Sequence, residues 1–209
     1  MLMLKVKDDL YNLDKTAFVF IDCQNDFITG TLGSKEAQEA IKVIENIAEI
    51  PMEYAYATFD THYDKDYLDT REGQKLPIKH CLIDSLNDGW DMPKELERTL
   101  CDKSHFSRFN KYTFGTLGLP TRIELEIEKP ECFVFVGFCT DICVISNVLI
   151  TQTYFDNEIP IVVIEDGCAG STKENHEAAL KVMQSCQIDV VNSKDISVEP
   201  WVGEVISKE

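Results

Sequence analysis

The stretch Phe133-Val134-Phe135-Val136-Gly137-Phe138-Cys139-Thr140-Asp141-Ile142-Cys143-Val144 decides the fold. Its first four residues are large or β-branched and all apolar, the pattern of a strand buried on both faces. Helical spacing then covers Asp141–Phe155, although β-branched residues are richer there than helix propensity favours. A strand that passes straight into a helix places Cys143 in the first helical turn at the mouth of a sheet. Unpaired N–H groups and the helix dipole favour thiolate at such a position, so the thiol pKa is expected to fall from its usual value of about 8.5. A free cysteine can equally be a small buried hydrophobe, so its neighbours in space must decide.

Outward from this segment, apolar runs alternate with helical patterns along the whole chain. Strands are expected at Ala17–Ile21, Tyr54–Phe59, Ile161–Ile164 and Asp189–Val191, with a weaker one near His105–Arg108. Helices are expected at Lys35–Ile50, Thr121–Glu128 and Lys173–Cys186. In the last of these, Glu174, Ala178 and Lys181 face out while Ala179, Leu180, Val182 and Met183 pack in. Alternating strands and helices imply parallel strands joined by right-handed crossovers. The expected fold is therefore α/β, a three-layer α/β/α doubly wound, mostly parallel sheet of about six strands. The 209 residues suit one domain. Residues 192–209, with Trp201, form a C-terminal extension that could pack on its own domain or on a neighbouring subunit.

Composition narrows the class. The chain is 44% hydrophobic and 27% charged, so disorder is excluded. A net charge of −17 argues against nucleic-acid and anionic-membrane partners. No signal-peptide pattern precedes Lys15, and no apolar run reaches membrane-spanning length. The eight cysteines lack Cys-x-x-Cys pairs, which points to reduced thiols and a cytoplasmic location.

In an open parallel sheet, ligands bind beyond the carboxyl ends of the strands. Those ends carry Asp22, then Asp60 with His62, then Lys111, then Cys139 through Cys143, then Asp166. Asp22 can be an Asx-turn acceptor for the Gln24–Asp26 amides or a general base raised by desolvation. Lys111, flanked by aromatics, is either a surface lysine or a cation bridging Asp22 and Cys143. Asp60 and His62 face the same side of an extended backbone, and His80 can return from the long polar segment His62–Asp91. Together they give a two-His, one-carboxylate set suited to zinc or non-haem iron, with Glu72 nearby. A segment of that length and polarity is more often functional than a plain connector.

These residues together resemble the isochorismatase-like cysteine hydrolases, and within them the nicotinamidase branch. The resemblance is carried by Phe20-Ile21-Asp22-Cys23-Gln24-Asn25-Asp26-Phe27, by Asp60-Thr61-His62 with Leu76-Pro77 and His80-Cys81, by Lys111-Tyr112-Thr113-Phe114-Gly115-Thr116, and by Gly137 through Val144. It implies Cys143 as nucleophile, Asp22 as proton acceptor and Lys111 as third member of a triad. It implies a cis peptide at Phe138–Cys139 and an oxyanion hole made by the N–H groups of Cys139 and Cys143. It implies one divalent metal, zinc with manganese or iron as alternatives, held by Asp60, His62 and His80 with Glu72 as a fourth ligand. In that scheme the metal orients the substrate ring and leaves the thiol's reactivity alone. Phe27, Leu76 and Phe138 would contact substrate, Leu76 standing where an aromatic wall is expected. The implied activity is hydrolysis of a linear amide C–N bond of nicotinamide or a similar small aromatic amide, in a homo-oligomer. A ureido or carbamoyl substrate is the rival within the family. A non-catalytic zinc- or thiol-binding module is the rival outside it, although such a module has no use for Asp22 and Lys111 beside a thiol.

Overall fold

The computed structural model describes residues 1–201. The chain begins with a hairpin of β1 (Leu2–Val6) and β2 (Asp9–Asn12), then enters the central sheet as β3 (Thr16–Ile21). A short helical turn, α1 (Asn25–Ile28), and α2 (Lys35–Ala48) lead to β4 (Tyr54–Asp60). Two helices, α3 (Arg71–Lys75) and α4 (Lys94–Cys101), precede β5 (His105–Lys111). There follow α5 (Gly118–Glu126), β6 (Cys132–Phe138), α6 (Ile145–Tyr154) and β7 (Ile161–Ala169). The last elements are α7 (Lys173–Ser185), β8 (Asp189–Val191) and β9 (Ile196–Pro200).

Strands β3 to β8 form one six-stranded sheet ordered β5-β4-β3-β6-β7-β8, with every neighbouring pair parallel. This is the doubly wound architecture that the alternation of patterns implies. Side chains of β3 alternate between two cores, as a two-residue period requires: Phe18 and Phe20 pack on one face, Ala17, Val19 and Ile21 on the other. The first face is covered by α2 and α4, the second by α5, α6 and α7. Strand order reverses between β3 and β6, and the crevice beyond their carboxyl ends is where such sheets bind ligands.

Four sequence expectations need correction. Asp166 is not beyond a strand end, because a register shift between Phe135 and Gly137 lets β7 run on to Ala169. Its carboxylate instead accepts hydrogen bonds from the Ser193 N–H and hydroxyl, at 2.8 and 2.6 Å. Val182 is exposed: it sits about 100° around the helix from the centre of the stripe made by Ala179, Leu180 and Met183. The helix after β6 opens with a π-helical turn, Thr140–Val144, before α-helix proper begins at Ile145. Finally, part of the C-terminal stretch is a strand: β9 pairs antiparallel with β1, opposite β2, in a separate three-stranded sheet. The expectation for residues 202–209 lies outside the described residues.

Candidate active site

Glycine makes the crevice possible. Gly137 has φ of 129°, and a Cβ there would lie 2.0 Å from the Ile21 carbonyl oxygen. Only a residue without a side chain lets the end of β6 approach β3 this closely. The approach sets the Cys139–Cys143 turn beside Asp22, the first residue after β3. The peptide between Phe138 and Cys139 is cis.

Asp22 is fully buried and takes φ of 47°, a left-handed conformation that Asp tolerates better than most residues. Its carboxylate does not cap the Gln24–Asp26 amides. Instead Oδ1 accepts from the Thr58 hydroxyl at 2.7 Å, and Oδ2 lies 2.7 Å from Lys111 Nζ. Lys111 ends β5 directly opposite Asp60 in the ladder and is 2% exposed, so it is no surface lysine. Its ammonium also lies 3.4 Å from Asp60 Oδ1 and 3.3 Å from Cys143 Sγ.

Cys143 is buried, at 4% exposure, where the sequence suggests an open strand–helix junction. Its pKa also moves against expectation. Burial and the Asp22 charge push the thiol well above its usual value, and Lys111 only partly opposes them. The helix dipole is outweighed because the sulfur is buried beside a carboxylate. Burial raises Asp22 too, with Lys111 again pulling the other way. Lys111 stays charged: burial disfavours its ammonium, but Asp22, Cys143 and Asp60 hold its pKa well above normal. The chemistry available is therefore proton transfer from a thiol to a raised carboxylate, with a permanent cation against both.

The Cys139 N–H has no hydrogen-bond acceptor among the described residues, whereas its carbonyl accepts from Ile142 and Val144 at 3.1 Å each. A backbone donor left free at the start of this turn can meet a developing oxyanion. Thr140 and Asp141 anchor the turn from behind. Thr140 Oγ1 is 2.8 Å from His176 Nδ1, and Asp141 accepts from the Ser171 N–H and hydroxyl at 2.7 and 2.6 Å.

A second cluster adjoins the first. One ligand atom from each of Asp60, His62, Glu72 and His80 falls within 4.8 Å of all the others. Asp60 Oδ2 is 3.1 Å from His62 Nε2 and 3.3 Å from His80 Nε2, and Glu72 Oε1 lies 3.9 and 3.7 Å from the same nitrogens. His80 Nδ1 is 2.8 Å from the Ile78 carbonyl, which can only accept, so this nitrogen carries a hydrogen. The Nε2 lone pair of neutral His80 then faces acceptor-only carboxylates, an arrangement that calls for a cation between them. The donor set fits a divalent metal. Burial opposes the Asp60 anion, but His62, His80 and Lys111 outweigh it and hold its pKa far below the carboxylate range.

Between the clusters lies a cavity of about 270 Å³, whose lining includes Asp60, Glu72, His80, Cys139 and Cys143. Phe27, Leu76 and Phe138, the expected substrate contacts, line it as well. Phe27 meets the His80 ring edge-on, with centroids 5.8 Å apart. Phe114 and Ile142 line the same cavity and were not singled out from sequence. Gln24 was also missed. It is fully buried, donating from Nε2 to the Asp60 carbonyl at 2.9 Å while its Oε1 accepts from the Asp60 N–H at 2.8 Å. Gln24 and Phe114 both lie inside stretches quoted above, so proximity to Asp22 and Lys111 was the available signal.

Comparison with known proteins bears on the fold and the family. The chain is 25% identical over 218 residues to a nicotinamidase of Schizosaccharomyces pombe, covering 86% of this chain and 94% of that protein. The fold matches the crystal structure of a nicotinamidase/pyrazinamidase from Bacillus subtilis with a TM-score of 0.70 and 22% identity, over 85% of this chain and 100% of the other. It also matches a pyrazinamidase of Pyrococcus horikoshii, in complex with zinc, with a TM-score of 0.64 and 20% identity, over 85% of this chain and 99% of that one. The sequence pattern of the isochorismatase domain spans residues 16–195, and the chain belongs to that family.

Proposed function

We propose that the protein is a metal-containing amidohydrolase that deamidates nicotinamide or a similar small aromatic amide through a thioester on Cys143. The observation that carries this reading is Lys111, one buried ammonium 2.7 Å from Asp22 and 3.3 Å from Cys143, whose sulfur-bearing side chain lines the cavity. Asp22 takes the thiol proton, and the sulfur attacks the amide carbon. The N–H groups of Cys139 and Cys143 receive the oxyanion, a contribution of about 10²–10³-fold for such donors. Asp22 passes its proton to the departing nitrogen, and ammonia leaves. A water then attacks the thioester with Asp22 as base, which frees the carboxylic acid and restores the thiol. Proton transfer of this kind contributes about 10²–10⁴-fold.

Asp60, His62, His80 and Glu72 would hold the divalent metal, zinc by preference, with manganese and iron also suited to this donor set. When bound it supplies a Lewis-acidic position for a ring nitrogen or for water. Phe27, Phe138 and Leu76 would enclose the ring. The aliphatic wall at Leu76 favours a second reading, a ureido or carbamoyl substrate worked on by the same Cys143, Asp22 and Lys111.

Ammonia release across nicotinamide, pyrazinamide, ureidoacrylate and small aliphatic amides separates these readings. Cys143→Ala should abolish release with every substrate while leaving the unfolding transition near its native position. Substantial turnover by that variant would remove covalent catalysis.

A further inference from the structure

A second cavity, of about 630 Å³, lies outside the first. Glu72, Leu76, Phe114 and Ile142 line both, so the two spaces adjoin across these four side chains. The outer one is walled by aromatics: Tyr67, buried against the His62 and His80 rings at 4.9 and 5.4 Å between centroids, and the exposed Tyr63 and Tyr112. Its remaining wall is α3, which presents Arg71 and Lys75. These side chains are four residues apart on one helix and project from one face.

The wall is built into the fold. Thr70 Oγ1 accepts from the Gly73 N–H at 3.0 Å and caps α3, while the Tyr67 hydroxyl donates to the Leu76 carbonyl at 2.7 Å. A Cβ on Gly73 would lie 2.0 Å from the Tyr67 carbonyl oxygen, so α3 is pressed against the tyrosine that covers the metal-type cluster.

The charges of this cavity do not cancel internally. Of its two acids, Asp66 pairs with Lys65 at 3.7 Å, and Glu72 belongs to the histidine cluster. Arg71 and Lys75 form no ion pair with any described residue, although the chain carries a net charge of −17. Arg71 and Lys75 are therefore the local positive charges open to a ligand in this aromatic cleft, on a protein whose overall field repels anions.

We propose that the outer cavity is a second substrate subsite: the amide attacked at Cys143 carries, beyond its ring, a carboxylate-bearing arm that Arg71 and Lys75 receive. The proposal rests on the amidase reading of the inner cavity and extends its substrate class to acidic amides larger than nicotinamide. The aromatic walls take the arm's apolar part, and the Arg71 guanidinium offers a planar fork matched to a carboxylate.

The test uses nicotinamide with a carboxyethyl arm on either ring carbon remote from the amide, and the methyl ester of each. Binding to the Cys143→Ala protein is measured by calorimetry, so the result does not depend on turnover. The acid should bind roughly five- to tenfold more tightly than its ester at low salt, as two partly exposed ion pairs allow, and the advantage should shrink at high salt. In Cys143→Ala combined with Arg71→Gln and Lys75→Gln, acid and ester should bind alike. Equal affinities before those substitutions, for both arm positions, would overturn the subsite, as would an acid preference that survives them. Ammonia release by the wild-type protein is scored separately. Arm-dependent binding without release from any amide would sink the amidase reading while leaving an anion-binding cavity in place.

Discussion

Replacing Lys111 with Met keeps the side-chain stem and deletes the one cation that Cys143, Asp22 and Asp60 share. Nζ lies 3.3 Å from the Cys143 sulfur. Unit charges at that distance interact by about 5 kcal/mol at an effective dielectric of about 20. Losing it would push the thiol pKa further up. Part of this is returned, because Asp22 loses the same partner at 2.7 Å, becomes easier to protonate and then repels the thiolate less. The net displacement should be upward, because the sulfur loses its cation outright while the relief through Asp22 is indirect. Asp22→Asn should act in the opposite sense, since it removes an anion that pushes the thiol up. The assay is the pH dependence of iodoacetamide alkylation, read peptide by peptide in the mass spectrometer, with exposed Cys101 as internal standard. Three superimposable Cys143 profiles, with Cys101 unchanged, would refute the claim that these groups act on one another.

His62→Ala and His80→Ala should each abolish stoichiometric divalent metal, as measured by elemental analysis of protein purified without chelator; a metal-free wild-type enzyme with full nicotinamide turnover would defeat the metal assignment. Sequence alone suggests that metal removal leaves Cys143 reactivity untouched, but Lys111 lies 3.4 Å from Asp60, so an uncompensated Asp60 should draw on it. The chelated protein should therefore alkylate at higher pH than the metal-loaded one, and identical profiles would show the clusters to be independent. Gln24→Ala leaves the buried Asp60 N–H and carbonyl without their side-chain partner, which should cost about 1–3 kcal/mol in urea unfolding and weaken metal binding. Native stability together with native metal affinity in that variant would contradict the positioning role.

The sheet was legible because its strands other than the polar edge strand β5 are apolar runs bounded by a break in pattern, and the strand-end rule then gathered Asp22, Asp60, His62, Lys111 and Cys143 without coordinates. The failures have specific causes. β1 and β9 gain their partners across almost the whole chain, Met3 opposite Glu199, and no local pattern announces such a pairing. α4 was missed within a polar stretch where only Leu96 and Leu100 are buried. Asp166 misled because a bulge in the ladder moved the end of β7, and backbone register is not written in residue type. The thiol's pKa misled for a different reason. Helix-end position is local and readable, whereas burial and the carboxylate beside the sulfur come from β3 and the packing around it.

The two clusters are joined by a charge balance that neither motif reveals alone. Asp22 and Asp60 are buried, Glu72 is partly buried, and Lys111 is the cation among them. With neutral histidines, three carboxylates against one ammonium leave two negative charges in a low-dielectric site, a costly excess unless it is compensated. Protons can supply the compensation. Burial and the Asp60 charge raise the Glu72 carboxyl, while for His80 the Asp60 and Ile78 contacts outweigh burial and raise the imidazole. One divalent cation supplies the same two charges without using protons. Metal binding should then release protons and tighten as pH rises through the range where Glu72 and His80 give theirs up. With Asp60 balanced in this way, the Lys111 ammonium is left to Asp22 and the sulfur, so the occupied ligand cluster would determine how much of that one positive charge the thiolate can use.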